Sequence, residues 1–201
     1  MSTAPERPLD HIDPATRRRI ENAVLNTFSD REFHRVSLIE IATKAQVSLQ
    51  TIYKYYGGKD VLLFSSLDTW LGQLSNRMID HLEAIENFQD RLRKVLWLVF
   101  DYFDENPKVA MVIMSSVYIN TWRKDDTFRQ PELFALLMKV INEGREQGIL
   151  TDEVEETAIL DLFIGVTSRT ISMWILRGQQ GRLTDKAAPT FNMIWRAISR
   201  N

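Results

Sequence analysis

Along most of this chain apolar residues recur at three- and four-residue spacing, and no run alternates with the period of two that a half-buried strand needs. Asp13-Pro14 predicts the first helix start. Aspartate accepts from the open amides, and proline sits where its missing N–H would have no partner. Ile20, Ala23, Val24, Thr27 and Phe28 follow on one face. Ser37-Leu38-Ile39-Glu40 has the capping-box pattern and predicts a short helix to about Ala45. Ser48 predicts a second short helix through Tyr55, which Gly57-Gly58 breaks. A long helix from near Lys59 carries Leu63, Leu67, Trp70, Leu71, Leu74, Met78, Leu82 and Ile85. Asn87 to Glu105 reads as the next, and Asn106-Pro107 starts another to about Tyr118. A helix from Gln130-Pro131 ends at Gly148, a left-handed terminator before apolar Ile149. Asp152–Glu155 forms a further capping box for a helix to about Arg177, and Thr184 caps the last one. The fold class is therefore all-α, with about nine helices and no internal repeat.

The two short helices joined by Ala45-Gln46-Val47 have the proportions of a helix-turn-helix, whose second helix lies in the major groove of DNA. Ile41, Ala42, Val47, Ile52 and Tyr56 are expected to pack on the first helix. Ser48, Leu49, Gln50, Thr51, Tyr53, Lys54 and Tyr55 are expected outward, as groups suited to base edges and phosphates. The expected organisation is a flexible arm over residues 1–12, a helix-turn-helix domain over 13–58 and a helical body over 59–201, with Gly57-Gly58 as the boundary.

The run Ile41-Ala42-x-x-Ala45-x-Val47-Ser48-x-x-Thr51-Ile52-Tyr53-x-Tyr55-Tyr56-x-x-Lys59-Asp60-x-Leu62 closely resembles the signature of the TetR family of transcriptional regulators. By motif the resemblance covers roughly residues 14–63. The later helices match in number, length and order. Gln46 stands where the family often has a turn glycine, so a mildly strained left-handed residue is expected. Gln50 replaces another frequent glycine and adds a side chain able to read adenine bidentately. The resemblance implies that Thr51, Tyr53, Tyr55 and Lys59 hold phosphates, with Leu49 and Gln50 reading bases and Lys54 reaching either. Ser37, Lys44, Ser48, Arg17 and Arg18 complete the expected DNA-binding set. The Arg17–Arg19 run is equally readable as a solvated face.

The resemblance further implies a homodimer on double-stranded operator DNA and a small-molecule effector held by the body. For the dimer interface it points to Leu162, Val166, Ile171 and Trp174 on one helix and Phe191, Ile194, Trp195 and Ile198 on the last. An intrachain core is the alternative for part of that set. The expected effector contacts are Trp70, Leu74, Phe100, Phe103, Met111, Met114, Tyr118, Trp122, Phe134, Phe163 and Thr167, although Met and aromatics at helical spacing are more often plain core. Ser115, Ser116, Asn120, Thr167 and Arg169 are candidates to orient a polar head group. An apolar lining suggests a hydrophobic or amphipathic effector, such as a fatty acyl compound. That effector acts by favouring one of two dimer states, as far as its affinities for them differ.

Composition adds three points. The 201 residues include no cysteine, which excludes disulfides and thiolate metal sites and fits a reducing compartment. Net charge is −2, yet Pro14–Asp60 holds eight basic against five acidic residues, a local +3 that leaves −5 elsewhere. Neither Met1–Pro8 nor the apolar segments Val95–Phe100 and Ile159–Val166 read as a signal peptide or membrane span, so a cytoplasmic protein away from membranes is expected. His11, His34 and His81 make no H-E-x-x-H spacing, there is no G-x-S-x-G, and Gly57-Gly58 lacks the strand context of a phosphate loop. Asp101 with Asp104 or Glu105 reads as a solvated face. No enzyme, cofactor or metal is expected.

Overall fold

The computed structural model describes residues 11–116 and 131–200, and among them nine α-helices. They are α1 (Pro14–Phe28), α2 (Leu38–Ala45), α3 (Leu49–Tyr56), α4 (Lys59–Ala84), α5 (Phe88–Glu105), α6 (Pro107–Ser116), α7 (Pro131–Glu146), α8 (Glu156–Leu176) and α9 (Ala187–Ile198), with 3-10 turns at Phe33–Arg35 and Thr184–Lys186. The predicted caps of the early helices form. Asp13 accepts from the Thr16 amide at 2.9 Å, and that hydrogen bond holds its carboxyl below the usual range. Ser48 accepts from the Thr51 amide at 3.0 Å and Asn87 from the Asp90 amide at 3.0 Å.

Three predicted caps are corrected. Ser37 caps α2 through the Ile39 amide, but Glu40 does not close the box, because Arg31 and Lys44 hold its carboxylate, each at 3.0 Å. The Asp152–Glu155 box does not open α8, which begins at Glu156. A single antiparallel bridge joins Leu150 to Ser199, with the Thr151 amide donating to the Ile198 carbonyl at 2.8 Å. Asp152 turns to Arg200 at 3.4 Å. Thr184 does not cap the last helix as an acceptor either. Its amide and hydroxyl both donate to Asp104 of α5, at 2.9 and 2.8 Å. Asp104 is therefore an inward anchor and not part of a solvated face, with 9% of its side chain exposed.

The described residues fall into two compact units, 11–70 with 111–116 and 71–110 with 131–200. The first half of α4 thus packs with the helix-turn-helix, and the predicted boundary at Gly57-Gly58 lies too early. The reason is burial: Leu62, Leu63, Phe64 and Leu67 share one core with Ile20, Val24 and Phe28 of α1, Ile41 of α2, Ile52 of α3 and Val112 of α6. Each such side chain withdrawn from water contributes about 1.5–3 kcal/mol. Ile12, predicted in the flexible arm, is also in that core. Between α2 and α3, Gln46 adopts the expected left-handed conformation (φ 55°, ψ 45°), and the Val47 amide closes the turn on the Ala42 carbonyl at 3.0 Å.

In the second unit α5 packs on α8 and α9, and α7 on α8. Val95, Leu96 and Phe100 of α5, Ile159 and Ile171 of α8, and Phe191 and Ile194 of α9 are buried. Arg91 forks onto both oxygens of Glu143 (2.7 and 3.2 Å), tying α5 to α7, and Arg145 pairs with Glu156 between α7 and α8. Gly144 lies against the Phe88 ring with no room for a β-carbon. Gly148 ends α7 at φ 67°, as its sequence predicts.

Candidate nucleic-acid interface

Helix α3 is two-sided. Ile52 and Tyr56 point into the core, while Gln50, Tyr53 and Lys54 are exposed, Tyr53 by 53%. This division follows from the 3.6-residue period, because Ile52 and Tyr56 are one turn apart. Ser48 fixes the helix start twice, through the Thr51 amide and through the Thr51 hydroxyl at 2.8 Å. Lys54 lies over the Tyr55 ring, 5.0 Å from its centroid, which leaves its ammonium at the surface.

Every residue expected to touch DNA lies in the first unit. Ser37, Leu49, Tyr53 and Lys59 line one open groove of about 380 Å³ beside the exposed face of α3. Three cations, Lys59, Lys44 and Arg17, are more committed than their sequence context suggests. Lys59 donates to the carbonyls of Phe33 and Val36 at 2.9 and 3.0 Å and lies 4.4 Å from the centre of the Phe33 ring. An ammonium has three protons, so the two carbonyls leave one outside these hydrogen bonds. Lys44 bonds the Thr27 hydroxyl at 3.2 Å and pairs with Glu40, whose pKa its hydrogen bond lowers. Arg17 bonds Glu21 at 2.9 Å and Thr69 of α4 at 2.7 Å. Arg18 is exposed, bonded to the Pro14 carbonyl at 3.3 Å. Four further residues that sequence reasoning had not placed there line the groove, Val36, Leu38, Ile39 and Gly58. Ile39 is 63% exposed, and its place in a helical pattern with Leu38 and Ile41 gave no sign of it.

The expected effector residues divide between the units. Trp70, Met111 and Met114 are half-buried in the first. Leu74, Phe100, Phe103, Phe134, Phe163 and Thr167 belong to the second. Phe100 is corrected to plain core, since no part of its surface meets a space the size of a water molecule. Phe134 is 54% exposed. Thr167 turns its hydroxyl back to the Phe163 carbonyl at 2.6 Å. Tyr118, Trp122 and Asn120, and the side chains of Ser115 and Ser116, lie outside the described residues.

The expected dimer residues also divide. Ile171, Trp174, Phe191, Ile194 and Ile198 are each at most 5% exposed within the single chain, so they belong to its own core and keep little area for a partner. The Trp174 indole donates to the Gly181 carbonyl at 3.0 Å. Trp195 is half-buried and stacks on Phe191, 5.9 Å between ring centres. Leu162 and Val166 keep exposed surface, and Leu176, at 72%, joins them. The apolar run of α8 is longer than the segment Ile159–Val166 suggested. By length and composition alone α8 could cross a membrane, and only 28% of its most apolar stretch is buried inside the chain.

Residues 22–65 match the model of the family described as bacterial regulatory proteins, tetR family, and residues 67–197 match that of the YsiA-like protein, C-terminal region. A putative mycofactocin biosynthesis transcriptional regulator of Mycobacterium tuberculosis is 25% identical over 195 residues, 92% of each chain. An HTH-type transcriptional repressor of Streptomyces coelicolor is 25% identical over 158 residues, 78% of this chain and 79% of its own. Among solved structures, the transcriptional regulator FadR of Bacillus subtilis in complex with stearoyl-CoA superposes with a TM-score of 0.78 at 18% identity, covering 88% of this chain and 96% of that one.

Proposed function

Since this chain belongs to the TetR family of bacterial regulatory proteins, we propose that it is a cytoplasmic repressor that binds a palindromic operator as a homodimer and is released or modulated by a small hydrophobic or amphipathic effector. The observation that carries the reading is the two-sided α3, held by its Ser48 cap with Gln50, Tyr53 and Lys54 outward. Leu49 and Gln50 read bases. Thr51, Tyr53, Tyr55 and the third proton of Lys59 position the phosphates, with Lys54 reaching either. Ser37, Ser48 and Arg18 are exposed where they add backbone contacts. Two half-sites double this small set of contacts and give the operator its two-fold symmetry.

A second copy is supported by α8. Leu162, Val166, Met173 and Leu176 recur at helical spacing and keep exposed surface, while Ile171 and Trp174 on another face are buried. Such a stripe left in water on a soluble regulator favours association. For the effector, likeness to a regulator whose structure holds stearoyl-CoA makes a long-chain acyl thioester the first compound to titrate. Any such ligand shifts the DNA-bound population only by its differential affinity.

The test is binding of the purified protein to its own upstream DNA and to a genomic fragment pool, at several salt concentrations with unlabelled competitor. Competitor-resistant binding is expected, with a log–log salt slope of about −0.9 per phosphate neutralised. Gln50→Ala is expected to relax preference at one base pair per half-site by about 1–3 kcal/mol. Binding that competitor abolishes on every fragment, with or without acyl-CoA, would overturn the reading.

A further inference from the structure

Ile39 stands on the second residue of α2 with 63% of its surface in water, although its neighbours Leu38 and Ile41 turn toward the core. Most of that side chain is left over from the packing of its own domain. It is not isolated. Ile39 shares the open groove with Leu49 and Tyr53 of α3, and the same groove carries Ser37 and the Lys59 ammonium. An apolar floor is thus continuous with the exposed face that bears Gln50 and Lys54, and a hydroxyl and a cation border it. Duplex DNA offers the matching chemistry. In the major groove the only apolar group at a base edge is the C5 methyl of thymine, flanked by anionic phosphates.

We infer that Ile39, with Leu49 and Tyr53 beside it, is a specificity-determining residue that receives a thymine methyl group of the operator. The inference rests on the operator-binding reading above. It assigns to α2 a share of base recognition alongside α3, and it makes an A·T pair a favoured feature of each half-site. Burying one methyl group from water corresponds to about a fourfold gain in affinity for each half-site.

The experiment selects an operator from a random duplex pool and then replaces its thymines singly by deoxyuracil, which removes the methyl and keeps every hydrogen-bonding group. Dissociation constants are measured by fluorescence anisotropy for the unaltered protein and for Ile39→Ala, whose exposed site leaves the fold intact by circular dichroism. At one thymine per half-site, deoxyuracil is expected to weaken the unaltered protein about fourfold and to leave Ile39→Ala almost unaffected. Equal losses in both proteins at every thymine would overturn the assignment while leaving operator binding in place. Failure of the unaltered protein to select any sequence would overturn the operator-binding reading, and this inference with it.

Discussion

Tyr56 closes α3 with its ring in the core and its hydroxyl buried without a hydrogen-bond partner among the described residues. Burial pushes its pKa up to about 12; the Glu21 carboxylate adds to the rise and Arg17 opposes it. Burial alone raises Tyr102 to about 12 as well. The unfolded chain releases these protons near pH 10 and the folded chain only near pH 12. Their stabilising effect is therefore complete below pH 10 and disappears as pH rises through 12. The expected result is an alkaline loss of stability of about 2 kcal/mol per tyrosine over that interval. Tyr56→Phe should remove one of the two losses. At neutral pH it should be neutral to about 1 kcal/mol stabilising, since it deletes a buried donor that bonds to nothing. Urea midpoints at neutral and alkaline pH check both; a variant clearly less stable at neutral pH would show that the hydroxyl has a partner.

Among the elements, the turn that leads into α9 depends on a residue 80 positions away from Thr184. Asp104 of α5 receives the amides of Leu183 and Thr184 and the Thr184 hydroxyl, so one carboxylate serves the open amides of the turn that leads into α9. It also fixes α9 against α5, where Phe191 and Ile194 are buried. Asp104→Ala is expected to cost about 1–3 kcal/mol, the range for a lost cap that leaves donors unsatisfied. Urea unfolding followed by circular dichroism measures it. An unchanged midpoint would mean that water replaces the carboxylate without penalty. Before α8 the chain pairs at Leu150 with Ser199 and then bends over residues 152–154, so the helix begins only at Glu156.

For the whole molecule, what matters is the apolar surface of α8 that its own chain leaves uncovered. A helix whose most apolar stretch is only 28% buried in its own chain carries surface that a second copy can remove from water. Leu162→Glu, on the exposed stripe, is expected to yield monomers by light scattering with helical content retained, and to weaken operator binding because each monomer grips one half-site. A dimeric mass would remove the stripe from the interface. Substitutions at Phe191 or Trp174 are not equivalent tests, because those side chains are buried within the chain and their loss damages the fold before the interface.

Helix positions, most early caps and the buried stripe of Ile52 and Tyr56 on α3 were determined by the sequence alone, because each depends on hydrogen bonds and spacings within a few residues, whereas Leu49 and Tyr55, expected outward, are half-buried against the core. The family signature belongs to the same local class, as it lies within one gapless run from Ile41 to Leu62. The tertiary structure alone decided which apolar side chains are core and which remain uncovered. Ile39 and Ile41, like Leu162 and Ile171, have the same hydrophobicity at positions of similar pattern, and only the neighbouring helices settle which of them meet water. It decided the partners of Lys59, Lys44 and Asp104 for the same reason. A polar side chain bonds whatever distant group the fold delivers, and no spacing along the chain announces the Lys44–Thr27, Lys59–Phe33 or Asp104–Thr184 contact.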